Sequence, residues 1–195
     1  MTYTYATKPV INSNLLKILN HLPQHNLDSG PWIAGGAARL AWHNIDIGNH
    51  DIDVFFKNEQ QWLAYSQFCN KFKIEDSIVT ANASTHEIKI EGLKIKLQII
   101  KKDWYEDYVS IFNNFDFNCC QFVTDGKTIV ATEDAISDCS QKILRHNSHT
   151  KKDLDTRRII KYLLYGFNPD KNILTRIIEL NHSNELASNW EQNEY

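Results

Sequence analysis

The sequence predicts an α+β fold: a small mixed β-sheet flanked by helices, with a C-terminal helical segment. Three observations predict it. Apolar residues recur at helical spacing in NSNLLKILNHL and NEQQWLAYSQFCNKF. Two runs, HEIKIEGLKIKLQII and FNCCQFVTDGKTIVAT, read as β-hairpins turning at Glu91-Gly92 and Asp125-Gly126. From near residue 148 onward the pattern is helical only. At 195 residues the chain is long enough for one real core with a small appendage. We therefore expect a first unit over 1–147 and a helical extension, 148–195, packed on it.

In chain order, the first helix follows Asn12 or Ser13 as a cap and ends before Pro23. DSGP is a turn and WIAG a short strand. GAARLAWHN reads as helix and DIDVFFK as strand. The helix through Trp62, Leu63, Tyr65, Phe68 and Phe72 precedes the first hairpin. KDWYEDYVSIFNNF is an amphipathic helix, and the second hairpin leads into TEDAISDCSQKIL, a helix capped by Thr132. KKDLDTRRIIKYLLYGF and DKNILTRIIELNHS are two further helices separated by Asn168-Pro169, and the last dozen residues are expected to fray.

Composition excludes some classes. A net charge of −3 rules out a polycation built to coat nucleic acid. The charge is uneven, however: Lys142 to Lys161 holds seven Lys/Arg against Asp153 and Asp155, a local +5 that leaves about −8 elsewhere. That segment is either an anion site or a solvated helix face. No apolar run reaches membrane-spanning length and the N-terminus lacks signal-peptide architecture, so the expectation is a soluble, cytoplasmic protein. Cys69, Cys119, Cys120 and Cys139 have no metal-site spacing and read as reduced structural thiols, the adjacent pair facing opposite sides of a strand.

The chemistry is concentrated in WIAGGAARLAWHNIDIGNHDIDVFF, Trp32 to Phe56. Gly35 and Gly36 join a strand to a helix, which suits close approach of a phosphate to the backbone; a tight turn alone would also explain them. Asp51 and Asp53 stand two apart and share one strand face. Two carboxylates in an otherwise apolar strand repel each other and raise one pKa, unless a divalent cation lies between them. A half-exposed edge strand with two solvated aspartates is the other reading.

A strand, Gly-Gly, a helix and then Asp-x-Asp on the next strand resembles the DNA polymerase β-like nucleotidyltransferase superfamily. More closely, it resembles the head domain of tRNA CCA-adding enzymes and poly(A) polymerases, in a minimal stand-alone form. Gly35-Gly36-Ala37-Ala38-Arg39 and Asp51-Ile52-Asp53 match its motifs. The resemblance implies a nucleotidyltransferase-type sheet and a Mg²⁺-dependent (or Mn²⁺-dependent) transfer of NMP from an NTP to a hydroxyl. Asp51 and Asp53 would be catalytic and hold the metals, with Gly35 and Gly36 at the triphosphate and Arg39 on a phosphate. NFDFNCCQFVTDG resembles a second element, which would put Asp116 near the nucleotide. LDTRRIIKY resembles a third, placing Asp155, Arg158 and Lys161 on one helix face, either towards nucleotide or RNA phosphate or in a structural ion-pair network.

Four positions depart from the family pattern. Leu40 stands where it has an acid, Asn114-Phe115 where it has paired arginines, and the loop before Asp51 is slightly long. The strand expected to carry the third carboxylate, LKIKLQII, offers neutral Gln98, which binds and orients but cannot act as a base. Glu87, Glu91 and Asp116 are the alternatives. A degenerate protein that binds nucleotide or a protein partner without turnover is the rival reading. The resemblance implies nucleoside triphosphate and RNA or tRNA as partners and no membrane; the oligomeric state is open.

Overall fold

The computed structural model describes residues 3–48, 50–69, 78–79, 83–90 and 93–179. Its centre is an eight-stranded mixed sheet in the order β1-β8-β7-β2-β3-β6-β5-β4. The strands are β1 (Tyr5–Pro9), β2 (Trp32–Ala34), β3 (Ile52–Phe55), β4 (Ile78–Val79), β5 (Ala83–Ile90), β6 (Leu93–Ile100), β7 (Phe122–Thr124) and β8 (Thr128–Thr132). β3 and β6 run parallel, whereas the other described neighbours in this sheet are antiparallel.

Alternation along the strands separates the two faces of the sheet. Ile33, Ile52, Val54, Ile95, Leu97 and Ile99 bury on one face. There they meet α1 (Ser13–Leu19), α2 (Gly36–Trp42) and α3 (Glu59–Cys69) through Leu15, Ala41 and Tyr65. Trp32, Ala34 and Phe55 bury on the opposite face against Phe112 of α4 (Tyr108–Asn114). Asp51, Asp53 and Gln98 belong to this second face, where α4 is short and leaves the strand ends open. A third cluster, from Phe117 and Cys119 to Ile159, Tyr162 and Ile173, joins α5 (Glu133–Gln141), α6 (Thr156–Leu164) and a final helix over 171–179 to the sheet.

Caps set several boundaries. Asn12 accepts from Leu15 N and Thr132 from Ala135 N, as their sequences predict. Asp107 forms a capping box with Ser110, so α4 begins at Tyr108 and the stretch before it is not helical. Asp155 caps α6, which starts at Thr156 rather than near Lys151. α5 ends at Lys142 in the left-handed conformation, and Ile143–Leu144 (β9) then pairs in parallel with Asn168–Pro169 (β10) instead of extending the helix. Cys119 and Cys120 lie in a 3-10 turn, Asn118–Cys120, and both are buried; they do not alternate across a strand. All four cysteines are free and buried. β1 has no strong local signal and is held by antiparallel pairing with distant β8. The Glu91-Gly92 turn and the C-terminal dozen lie outside the described residues.

Candidate functional site

β2 ends at Ala34 and is followed by Gly35, whose φ of 77° and ψ of −129° suit glycine and strain other residues. Gly35 N donates to Phe122 O at 2.9 Å, so the turn is tied to β7 as well as to β2. A Cβ built on Gly35 would lie 3.5 Å from the Phe115 ring and 3.8 Å from Asp53 Oδ2, whereas one on Gly36 would meet nothing within 4 Å. A side chain at this position would therefore touch the Asp53 carboxylate, and the glycine turn lies beside it.

Strand register completes the group. Ala34 pairs with Asp53, Asp53 with Gln98, and Gln98 with Thr85. Asp51, one residue before β3, accepts a hydrogen bond from Gln98 Nε2 at 3.1 Å. Burial, and then the neighbouring Asp51, push the Asp53 carboxyl up to about 7, against the opposing pull of Lys161 and Arg158. The pair thus behaves as two carboxylates short of compensating charge.

Asp53 and Gln98 line a cavity of about 440 Å³ together with Lys102, Asp116, Lys152 and Arg158. Asp116 is buried, and both its oxygens accept from Arg158, Oδ1 from Nη2 at 2.9 Å and Oδ2 from Nε. It enters the cavity as half of an ion pair and not as a free carboxylate. Asn147 fixes this corner. Its N donates to Asp116 O at 2.8 Å and its Nδ2 to Phe112 O and Phe115 O, at 2.9 and 2.8 Å.

Of the other expected residues, Asp155 also lines this cavity, and the rest of the described ones do not. Arg39 does not line this cavity. Its guanidinium is buried over the Tyr162 and Phe167 rings, 5.5 and 5.7 Å from their centres, in the wall of a second cavity. Lys161 is exposed, 5.9 Å from the Tyr165 ring centre, and reaches Asp53 only by its charge. Asp155 leaves the expected helix face: as N-cap it accepts from Arg157 N, and its side chain pairs with Arg157. Glu87 of β5 stands in register with Lys96 of β6, whereas Gln98 stands in register with Thr85, so Glu87 does not take the position beside Asp53. Glu91 lies outside the described residues. Among the described residues no group of three or more His, Cys, Asp or Glu gathers as a metal cluster. Lys152 comes from the basic Lys142–Lys161 segment, whereas no spacing in the sequence marks Lys102 or Asn147, which loops fold to this corner.

Residues 9–142 match the Gabija anti-defense 2 family. The chain is 31% identical over 149 residues to the Gabija anti-defense 2 protein of Bacillus phage SPbetaL7, an alignment covering 75% of this chain and 36% of that protein. It thus spans little more than a third of the curated relative's length. Among solved structures it resembles the Thermotoga maritima CCA-adding enzyme complexed with tRNA, with a TM-score of 0.56 and 16% identity over 90% of this chain and 45% of the enzyme. A CCA-adding enzyme complexed with CTP gives a TM-score of 0.55 and 15% identity over 89% and 44%. At such identities the likeness is one of fold: the chain has the nucleotidyltransferase-type sheet flanked by helices. Among the described residues no helix is long and apolar enough to cross a membrane.

Proposed function

The chain belongs to the Gabija anti-defense 2 family, and from that premise we propose that it is a nucleotidyltransferase unit serving an anti-defence role. In this reading it transfers NMP from an NTP to a hydroxyl on RNA, a protein or a small molecule, with release of pyrophosphate. The observation that carries the reading is the placement of Asp53 beside the Gly35 turn, with Asp51 beside it and Gln98 bridging to Asp51.

The residues fit Mg²⁺ or Mn²⁺. Two adjacent carboxylates, one with its carboxyl pushed up to about 7, suit an ion that takes few protein ligands and completes its shell with water and phosphate oxygens. Asp51 and Asp53 would hold it, and when bound it would neutralise charge on the reacting phosphates and lower the pKa of the attacking hydroxyl. Gly35 and Gly36 leave room for the triphosphate to approach the backbone. Lys102, Lys152 and Arg158 set three cations among the five aspartates of the cavity wall, where Lys102 and Lys152 can meet phosphate. Gln98 holds Asp51 in place, and Arg158 orients the Asp116 carboxylate.

One observation favours a second reading, binding without turnover. Neutral Gln98 occupies the β6 position in register with Asp53 and spends its amide on Asp51. No group at that position can take a proton from an acceptor hydroxyl. The test is transfer of label from each α-labelled NTP, with Mg²⁺ or Mn²⁺, into RNA and into cellular protein. Asp51→Asn and Asp53→Asn are run alongside, and NTP binding is measured separately. Incorporation that disappears in the variants is the expected result. Undiminished incorporation in them overturns the mechanism, and binding without incorporation selects the second reading.

A further inference from the structure

A second cavity, of about 400 Å³, lies at the C-terminal end of α2. Arg39 and His43 meet Lys142 there, at the end of α5, with His50, Tyr165 and Phe167. It shares no lining residue with the Asp53 cavity. Its lining contains two obligate cations and two imidazoles but no carboxylate.

Arg39 is only 9% exposed, and its Nη1 has no hydrogen-bond partner. Burying a guanidinium with an unpaired N–H is costly. Tyr162 and Phe167 offset part of that cost through their ring faces, but they accept no hydrogen bond of ordinary strength. Lys142 adds a second charge 4.8 Å from the centre of the Phe167 ring, so one ring carries two cations. Like charges gathered from α2 and α5 repel, and an anion in the cavity removes that repulsion. A planar fork beside an ammonium matches phosphate, whose several oxygens use both. Exposed Tyr165 and the His50 ring meet edge to face, 6.0 Å between centres and 71° between planes, and both line the cavity, so their outer faces can meet a ring system. The volume is ample for a nucleoside monophosphate.

We propose that this cavity binds a nucleotide by its phosphate, with Arg39 and Lys142 on the phosphate and the Tyr165–His50 ring pair against the base. The ligand is either a free nucleotide or one unit of a single-stranded RNA. The proposal does not rest on turnover, or on metal binding, at Asp51 and Asp53.

Calorimetric titration of the full chain without divalent metal tests it, using the four nucleoside monophosphates, adenosine, inorganic phosphate and a short single-stranded RNA. At least one monophosphate should bind, with adenosine on the order of tenfold weaker or worse. Lys142→Asn, which keeps a residue that tolerates the left-handed backbone, should weaken binding by a similar factor while leaving Tm unchanged. Arg39→Gln should weaken it further if that variant folds, and Asp53→Asn should leave it unaltered. RNA binding tighter than any monophosphate, with the same Lys142→Asn sensitivity, identifies a strand; monomer binding alone identifies a free nucleotide. The proposal is overturned if no phosphate ligand binds, if Lys142→Asn binds as the parent does, or if Asp53→Asn abolishes binding. Inorganic phosphate binding as tightly as every monophosphate would overturn the role given to Tyr165 and His50.

Discussion

Gln98 donates its side-chain amide to Asp51 Oδ2 at 3.1 Å while its backbone stands in register with Asp53. A neutral side chain thus touches one carboxylate from the strand position beside the other. Gln98→Glu would replace an attraction with a third negative charge. In the absence of metal the variant should lose roughly 1 kcal/mol of stability, and Mg²⁺ should raise its Tm by more than it raises that of the parent. Thermal melts with and without Mg²⁺ read this directly. An unchanged response to Mg²⁺ would argue that no cation is held between these residues.

The Asp53 carboxyl is pushed up to about 7, from 3.8 in the unfolded chain, by burial and Asp51. Between those pH values the folded state holds more protons at this residue than the unfolded state. Its contribution is therefore fully present below about 4 and lost as pH rises through 7. His25, buried against Tyr65 and lowered to about 4, acts oppositely, its contribution fading as pH falls from 6.5. Subtracting the Asp53→Asn curve from the parent's isolates the first effect. In metal-free buffer that difference should decline from pH 4 to 7, and Mg²⁺ should reduce the decline. A flat difference in metal-free buffer would mean that Asp53 is well solvated.

Gly35→Ala should cost about 1–3 kcal/mol, because a φ of 77° with a ψ of −129° is strained for alanine. The added methyl itself meets only ordinary contacts, at 3.5 Å from Phe115 and 3.8 Å from Asp53. Gly36→Ala, where the space is open, should cost less than half as much. Chemical denaturation of the two variants compares them, and equal losses would contradict the strain argument.

Removing Arg158 leaves Asp116 buried and unpaired. Arg158→Met should destabilise by about 2 kcal/mol, discounted because the arginine side chain is 45% exposed. Adding Asp116→Asn should recover part of the loss, since a neutral amide is cheaper to bury than a lone carboxylate. A double-mutant cycle in urea measures the coupling, and strictly additive losses would mean that the pair contributes no net interaction.

Sequence alone determined the fold class, the glycine turn, the Asp-x-Asp strand, both hairpins and the caps at Asn12 and Thr132, because periodicity, backbone freedom and capping are local properties. It also found Gln98 in place of a carboxylate, since strand alternation and motif order are one-dimensional. Tertiary structure decided which charged groups meet. Asp116 reaches Arg158 across 42 residues, and Asn147 pins the corner from another loop. Asp155 was taken by its own helix end, and Arg39 turned into a separate aromatic-walled cavity. Helix spacing predicts a shared face only for residues inside the helix, and a long side chain follows the nearest cavity that relieves its burial. Those choices depend on distant packing, which no local pattern encodes.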